Sequence, residues 1–202
     1  MKEPNFIEVV KVKDGVFVDP QPHKERVFCT TSNFFSEPLI VVLTDNMIPV
    51  DLRIGIVKCR IVYNSKIVSI EFEPYKMRSI QTLAIVEDPT IDYSYKYLNR
   101  DSISKLFARR EECDDILIVK NSMVTDTSYS NVVFKDSEGK LYTPISTLLA
   151  GTERQRLLEK GDIQEKEINV NDIRMYVGVY LINAMIDIED NLFVDIDSIL
   201  KV

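Results

Sequence analysis

The hydrophobic pattern changes character along the chain. Residues 7–12 are rich in apolar side chains, Lys13-Asp14-Gly15 interrupts them, and Val16-Phe17-Val18 resumes the run. An Asp-Gly step between two such runs predicts a β-hairpin. Residues 23–34 predict a short helix. Residues 54–62 and 67–72 flank Tyr63-Asn64-Ser65-Lys66 and predict a second hairpin, and 80–86 predict a further strand. Beyond this point helices and strands alternate. The pattern predicts helices over 102–110 and over 152–160, the latter set between Gly151 and Gly161. Strands are expected at 116–119, 132–134 and 177–182. The apolar stretch 192–200 has no clear period. The polar, proline-containing segment 87–92 follows a strand and is the best linker candidate. The expectation is therefore an α+β chain with a small first domain over 1–90 and a larger second domain over 91–202.

Composition narrows the function. The chain has 202 residues, 45% of them hydrophobic and 28% charged, which is enough apolar material for a sizeable core. The formal net charge is −7. That argues against nucleic acid or an anionic membrane as the main partner, because both need a basic face. The first 95 residues carry 11 basic and 13 acidic side chains and the remainder 14 and 19, so the acidity sits mostly in the second half. No apolar run approaches the ~20 residues of a membrane span, and the N-terminus lacks the apolar core of a signal peptide. Cys29, Cys59 and Cys113 are far apart and suggest neither a disulfide framework nor a metal site. His23 is the sole histidine, which removes any multi-histidine metal centre. A reducing cytoplasm is the expected location.

Four segments carry candidate chemistry. Lys96 sits in Tyr93-Ser94-Tyr95-Lys96-Tyr97, where partial desolvation would make its amine nucleophilic; the plainer reading is a surface lysine lying over tyrosines. Asp126 is the one carboxylate in the hydroxyl-rich run 125–130, either held ionised by several hydrogen bonds or simply capping a polar turn. Gly151 opens a predicted helix, and free backbone amides at a helix start attract anions, although most such turns bind nothing. Arg26, in His23-Lys24-Glu25-Arg26, has the forked geometry that suits phosphate. Pairing His23 with Cys29 as a nucleophile is rejected, because nothing supplies an oxyanion hole.

Taken in order, these segments resemble the class IV aminotransferase family, the fold-type IV group of pyridoxal-phosphate enzymes. This family includes branched-chain and D-amino-acid aminotransferases and 4-amino-4-deoxychorismate lyases. The resemblance is dense from Lys96 to about Asp187 and looser before. It implies a two-domain D-amino-acid-aminotransferase-like fold with a shortened N-terminal domain, a pyridoxal 5'-phosphate cofactor, a small amino-acid-like substrate and a homodimer. Lys96, in Tyr95-Lys96-Tyr97-Leu98-Asn99-Arg100, matches the lysine that the family joins covalently to the cofactor. Asp126 aligns with the acid that meets the cofactor's ring nitrogen, where the family usually carries the longer glutamate. Asn131 falls on a family asparagine downstream of it. Gly151, Thr152 and Glu153 match the helix start that holds the cofactor phosphate, and Arg26 matches a His-x-x-Arg arginine that reaches the same group. Asn183-Ala184-Met185 resembles a segment near the phosphate in lyase-like members. Arg60 falls where the family places a basic residue facing the substrate. Five residues past Lys96 stands Asp101, with no match to a tyrosine of the branched-chain members.

The residue chemistry agrees with these assignments. A lysine amine displaced by substrate becomes a general base at the α-carbon. A carboxylate beside the ring nitrogen keeps it protonated, so that the ring draws in electrons. Leu98-Asn99-Arg100 and Asn183-Ala184-Met185 favour an aminodeoxychorismate-lyase-like enzyme that releases pyruvate and the folate precursor 4-aminobenzoate. An amino-acid aminotransferase, branched-chain or D-specific, is the alternative. A degenerate, non-catalytic family member is the second alternative.

Overall fold

The computed structural model describes residues 3–201. They form two compact units. The first takes the residues up to Met77 together with Tyr95–Asn99, and the second takes Arg78–Ser94 and everything from Arg100.

In the first unit, β1 (Phe6–Lys13) and β2 (Val16–Phe17) form the expected hairpin. Asp14 and Gly15 both have positive φ, 49° and 79°. That pair of left-handed residues is what a two-residue turn needs to match the twist of its strands. Helix α1 (Gln21–Phe34) begins with a proline in its first turn, where a missing N–H costs nothing. Strands β3 (Ile56–Tyr63) and β4 (Ile67–Pro74) complete an antiparallel sheet of order β2-β1-β3-β4. Burial alternates along β1, so that Phe6, Glu8, Val10 and Val12 share the inner face. They pack with Val57, Cys59, Ile61 and Tyr63 of β3 and with Val27 of α1. Residues 96–98 return to this unit and run beside the start of β1. Ile7 donates to the Lys96 carbonyl at 2.9 Å, and Leu98 donates to that of Asn5 at 2.8 Å.

In the second unit, β5 (Leu83–Glu87) lies parallel to β6 (Asp115–Lys120), with α2 (Asp101–Phe107) between them in sequence. Strands β7 (Met123–Thr127), β8 (Asn131–Asp136) and β9 (Leu141–Pro144) follow as antiparallel neighbours. Helix α3 (Thr152–Lys160) leads to β10 (Gln164–Lys166). Then come β11 (Tyr176–Ile182), β12 (Phe193–Asp195) and β13 (Ile199–Lys201). The ladder runs β10-β9-β8-β7-β6-β5-β13, and β11 pairs with both β8 and β12. β6 is buried on both faces, which explains its unbroken apolar run Ile116-Leu117-Ile118-Val119.

The expected division near residue 90 is displaced. β5 is parallel-paired to β6 on one side and to β13 on the other, so it belongs to the second unit. The 87–92 segment is no linker. Asp88 donates its N–H to Val119, Asp88 caps Thr90, and Lys120 donates to the Ile91 carbonyl at 2.7 Å. Polarity at 87–92 reflects these turn bonds. The stretch 192–200 resolves into two short strands joined by a 3-10 turn. Among the described residues, no helix is long and apolar enough to cross a membrane. All three cysteines are free, with Cys59 and Cys113 buried and Cys29 exposed.

Gly178 in β11 gives one sharp test of the packing. A Cβ built there would lie 2.3 Å from the Phe193 ring and 2.5 Å from the backbone oxygen of Val194. Overpacking of this kind costs about 1–3 kcal/mol, so Gly178→Ala should lower the thermal midpoint of the purified protein by several degrees. An unshifted melt would contradict the packing described.

Candidate active site

The site-bearing part of the second unit is built around Asp126, the fourth residue of β7. A tight turn over 127–130 reverses the chain, and β8 begins with Asn131 directly opposite Asp126. Thr127 and Ser130 close that turn through their backbones at 2.9 Å, and Ser130 also donates its N–H to the Thr127 hydroxyl. Arg100 donates to the Ser128 carbonyl. The hydroxyl-rich sequence is thus half strand and half turn.

Asp126 is almost fully buried and receives four hydrogen bonds. Its Oδ1 accepts from Thr147 Oγ1 at 2.6 Å and from Asn131 Nδ2 at 2.8 Å. Its Oδ2 accepts from the backbone N–H groups of Leu148 and Leu149 at 2.9 and 3.0 Å. Burial pushes the Asp126 carboxyl above the usual aspartate range, and the four donors act against that push. The carboxylate therefore anchors the 147–149 loop, which runs straight into helix α3.

Gly151 is the N-cap of α3, and as a glycine it brings no capping side chain of its own. The glycine is required by its neighbour: a Cβ at Gly151 would lie 2.0 Å from Asn131 Oδ1. The Glu153 side chain turns to Arg156, which also reaches Asp187. Burial raises the Glu153 carboxyl, and Arg156 opposes that. This ion-pair group ties α3 to the chain after β11. There Asn183 donates to the Ser130 hydroxyl at 2.9 Å and accepts the N–H of Met185 at 2.8 Å. Asp126 of β7, Asn131 of β8, Gly151 at the start of α3 and Asn183 after β11 are thereby linked, with Thr152 next to Gly151. Glu153 contributes through Arg156 and Asp187.

The remaining expected residues lie in the first unit. Lys96 is half-buried on the returning segment. Tyr95 and Tyr97 both reach the Phe6 ring, with centroids 6.4 and 5.2 Å away. Tyr97 donates its N–H to the Tyr95 carbonyl at 2.8 Å, which closes a three-residue turn around Lys96. Arg26, read as a phosphate ligand, forms a bidentate pair with Glu8 through Nε and Nη2, each at 2.7 Å. His23, one helical turn earlier, bonds the same carboxylate at 2.8 Å. Arg60 is partly exposed on the outer face of β3 and pairs with Glu71 of β4 at 3.3 Å. The sequence reading missed Glu8, Thr147 and the amides of Leu148 and Leu149. Glu8 alternates with valines like any core position, and nothing in Ser146-Thr147-Leu148-Leu149 marks a binding loop.

With this geometry in place, comparison with known proteins is direct. A profile of the class IV amino-transferase family matches residues 67–189. The chain belongs to that family, whose members are pyridoxal-phosphate-dependent aminotransferases and lyases. An uncharacterized protein of Haemophilus influenzae is 41% identical over 183 residues, 89% of this chain and 97% of that protein. A crystal structure of a candidate 4-amino-4-deoxychorismate lyase from Haemophilus somnus is 30% identical. It superposes with a TM-score of 0.80 over 93% of this chain and 99% of that one. A hypothetical aminotransferase of Mycobacterium tuberculosis in its PLP-bound form shares the fold. Its TM-score is 0.72 at 18% identity, over 90% of this chain and 78% of that one. The fold is the two-domain fold-type IV arrangement in a short form.

The residues of the second unit fit a phosphorylated pyridine. A helix start opened by glycine suits the phosphate, and a buried carboxylate bonded to the loop leading to it suits a ring N–H. Among the described residues no group of three or more His, Cys, Asp and Glu could hold a metal ion.

The Glu8 cluster makes a pH prediction. Burial alone would raise the Glu8 carboxyl, but Arg26, with His23 assisting, outweighs it and holds the group down to about 2 from 4.5. A depressed folded value stabilises the protein above the unfolded value and loses that contribution as pH falls from about 4.5 towards 2. At 1.36 kcal/mol per unit, the contribution is roughly 3 kcal/mol. Chemical denaturation at stepped pH should show this loss, and Glu8→Gln should remove most of the slope in that window. An unchanged slope in the variant would place the acid sensitivity elsewhere.

Proposed function

We propose that this chain is a pyridoxal-phosphate-dependent lyase that takes an aminodeoxychorismate-like substrate to pyruvate and 4-aminobenzoate. The observation that carries the reading is the Asp126 anchor: a buried acid whose bonded loop leads into a helix opened by glycine, in a family of pyridoxal-phosphate enzymes. The whole-length likeness to the Haemophilus somnus protein supports lyase over transfer chemistry. So do Leu98-Asn99-Arg100 and Asn183-Ala184-Met185.

In this reading, the bound cofactor supplies a carbonyl that takes up the substrate amine and a ring that withdraws electrons from the α-carbon. Lys96 would be the residue that holds it covalently, and its Nζ would be the group that takes the α-proton of the substrate. Asp126 holds a proton at the ring nitrogen. The opening of α3 and the turn at Asn183 would hold the phosphate, and the family resemblance assigns Arg26 to the same group. Glu8 and His23 fix the orientation of Arg26. Arg60 receives a substrate carboxylate. Loss of the α-proton and departure of the enolpyruvyl oxygen make the substrate ring aromatic, and the enol takes up a proton to become pyruvate. The homodimer and the aminotransferase alternative belong to the same family reading.

The test begins with pyridoxal phosphate and the purified protein. A visible absorption band that bleaches with borohydride, and a label mapped to Lys96, are the expected results. No band, or label scattered over surface lysines, would sink the enzyme reading. With aminodeoxychorismate supplied, the loaded protein should release pyruvate, and Lys96→Ala should reduce turnover to background. Transfer of an amino group to a keto acid without pyruvate release would select the aminotransferase. Asp126→Ala should slow turnover far more than it weakens cofactor binding, and a pure affinity loss would remove it from the chemistry.

A further inference from the structure

The first turn of α3 carries an anion of its own. Glu153 is the second residue of the helix. An acid in the first turn is attracted to the opening amides, and a glutamate is long enough to fold back on them. Helix α3 would then fill its anion seat from within. The structure shows another arrangement. Arg156 Nε donates to Glu153 Oε2 at 2.9 Å, and Arg156 Nη2 donates to Glu153 Oε1 at 2.5 Å. Both oxygens are taken by one fork, rooted three residues further along the helix.

A second acid fixes that fork. Arg156 Nη2 also donates to Asp187 Oδ2 at 2.5 Å. The hydrogens on Nε and Nη2 number three, and each has its own acceptor oxygen. Asp187 is itself held by its backbone surroundings. Its Oδ1 accepts the N–H of Ile188 at 2.6 Å, and its N–H goes to Asp190 Oδ2 at 2.8 Å. It directly follows the Asn183–Ile186 turn, which two backbone bonds close at 3.0 and 2.9 Å. Arg156 thereby ties the first turn of α3 to the turn at Asn183. The Glu153 side chain is only 13% exposed, so water screens it poorly. Burial pushes its carboxyl up, Arg156 pulls it down, and the like charge of Asp187 pushes it up again. With Arg156 removed, an ionised Glu153 is repelled by Asp187 and drawn to the opening amides of its own helix.

We propose that Arg156 is a positioning residue for the cofactor phosphate: braced on Asp187, it holds both oxygens of Glu153 and so leaves the opening amides of α3 to the phosphate. This rests on the reading of the α3 start as the phosphate seat. In this assignment Glu153 serves the seat through its backbone alone. Arg156 acts through Glu153 and takes no part in the chemistry.

The experiment measures the dissociation constants of pyridoxal phosphate and of pyridoxal, which lacks the phosphate, at pH 8. It compares wild type with Arg156→Met, and with Arg156→Met combined with Glu153→Gln. A thermal melt of each variant runs alongside. Arg156→Met should weaken pyridoxal phosphate about tenfold and leave pyridoxal within about twofold of wild type. Adding Glu153→Gln should bring pyridoxal phosphate back to within about threefold of wild type, because the competing charge is gone. If Arg156 merely fastens the helix, that second substitution restores nothing. A double variant as weak as Arg156→Met would therefore overturn the proposal. So would unchanged affinity in Arg156→Met, or an equal loss for both aldehydes. Where Arg156→Met fails to fold, Arg156→Lys carries the same comparison, since it keeps the charge and loses the fork. It should weaken pyridoxal phosphate selectively, with rescue by Glu153→Gln, and absence of that rescue would overturn the proposal. Wild type that takes the borohydride label on Lys96 yet binds both aldehydes equally would overturn it and leave the cofactor reading standing. Failure of wild type to bind pyridoxal phosphate would remove both.

Discussion

Everything chemically suggestive in the second unit depends on one buried carboxylate. Moving Asp126 out of water carries a penalty of several kcal/mol unless its lone pairs are met. The chain meets them with one hydroxyl, one amide and two successive backbone N–H groups. The requirement propagates outward. The 127–130 turn must be tight enough to set Asn131 opposite Asp126. Asn131, so placed, occupies the volume a side chain at 151 would need, and that position must be glycine. The glycine is the N-cap of α3, so the helix start is placed by the same carboxylate that organises the loop before it.

The first unit repeats this logic with different parts. Glu8 occupies an inward-facing position of β1 between Phe6 and Val10, where alternation calls for an apolar residue. Helix α1 answers with His23 and Arg26, three residues apart and so on one face. Two charged groups and an imidazole fill one core position, which a valine would fill with less risk. That arrangement holds the Arg26 guanidinium in one orientation by its Nε and Nη2 edge. Each unit therefore contains a buried acid whose partners are the residues of chemical interest.

Much of the fold was legible because local physics wrote it into short spans. The Asp-Gly hairpin, the strand at β11 and the helix bounded by Gly151 and Gly161 all follow from turn chemistry and period. The segment 87–92 looked like a linker because the same polar and proline residues serve a bonded turn. Only the parallel pairing of β5 with β6 and β13 assigns it to the second unit. Lys96 read as a lysine among aromatics because the tyrosines adjoin it in sequence. Their packing on Phe6 is a contact made only in the folded chain.

The sequence by itself determined the candidate residue types and their order: a lysine, an acid, an asparagine, a glycine before a helix and an arginine after a histidine. Those are covalent facts, and their spacing sufficed for the family resemblance. The tertiary structure decided which atoms the acids bond, why position 151 is glycine, and that Thr147 belongs to the site. Hydrogen bonds between residues 21 to 23 positions apart, such as those from Thr147, Leu148 and Leu149 to Asp126, leave no periodic trace in a chain. They exist only once two segments are folded against each other, and burial then makes every missing partner costly.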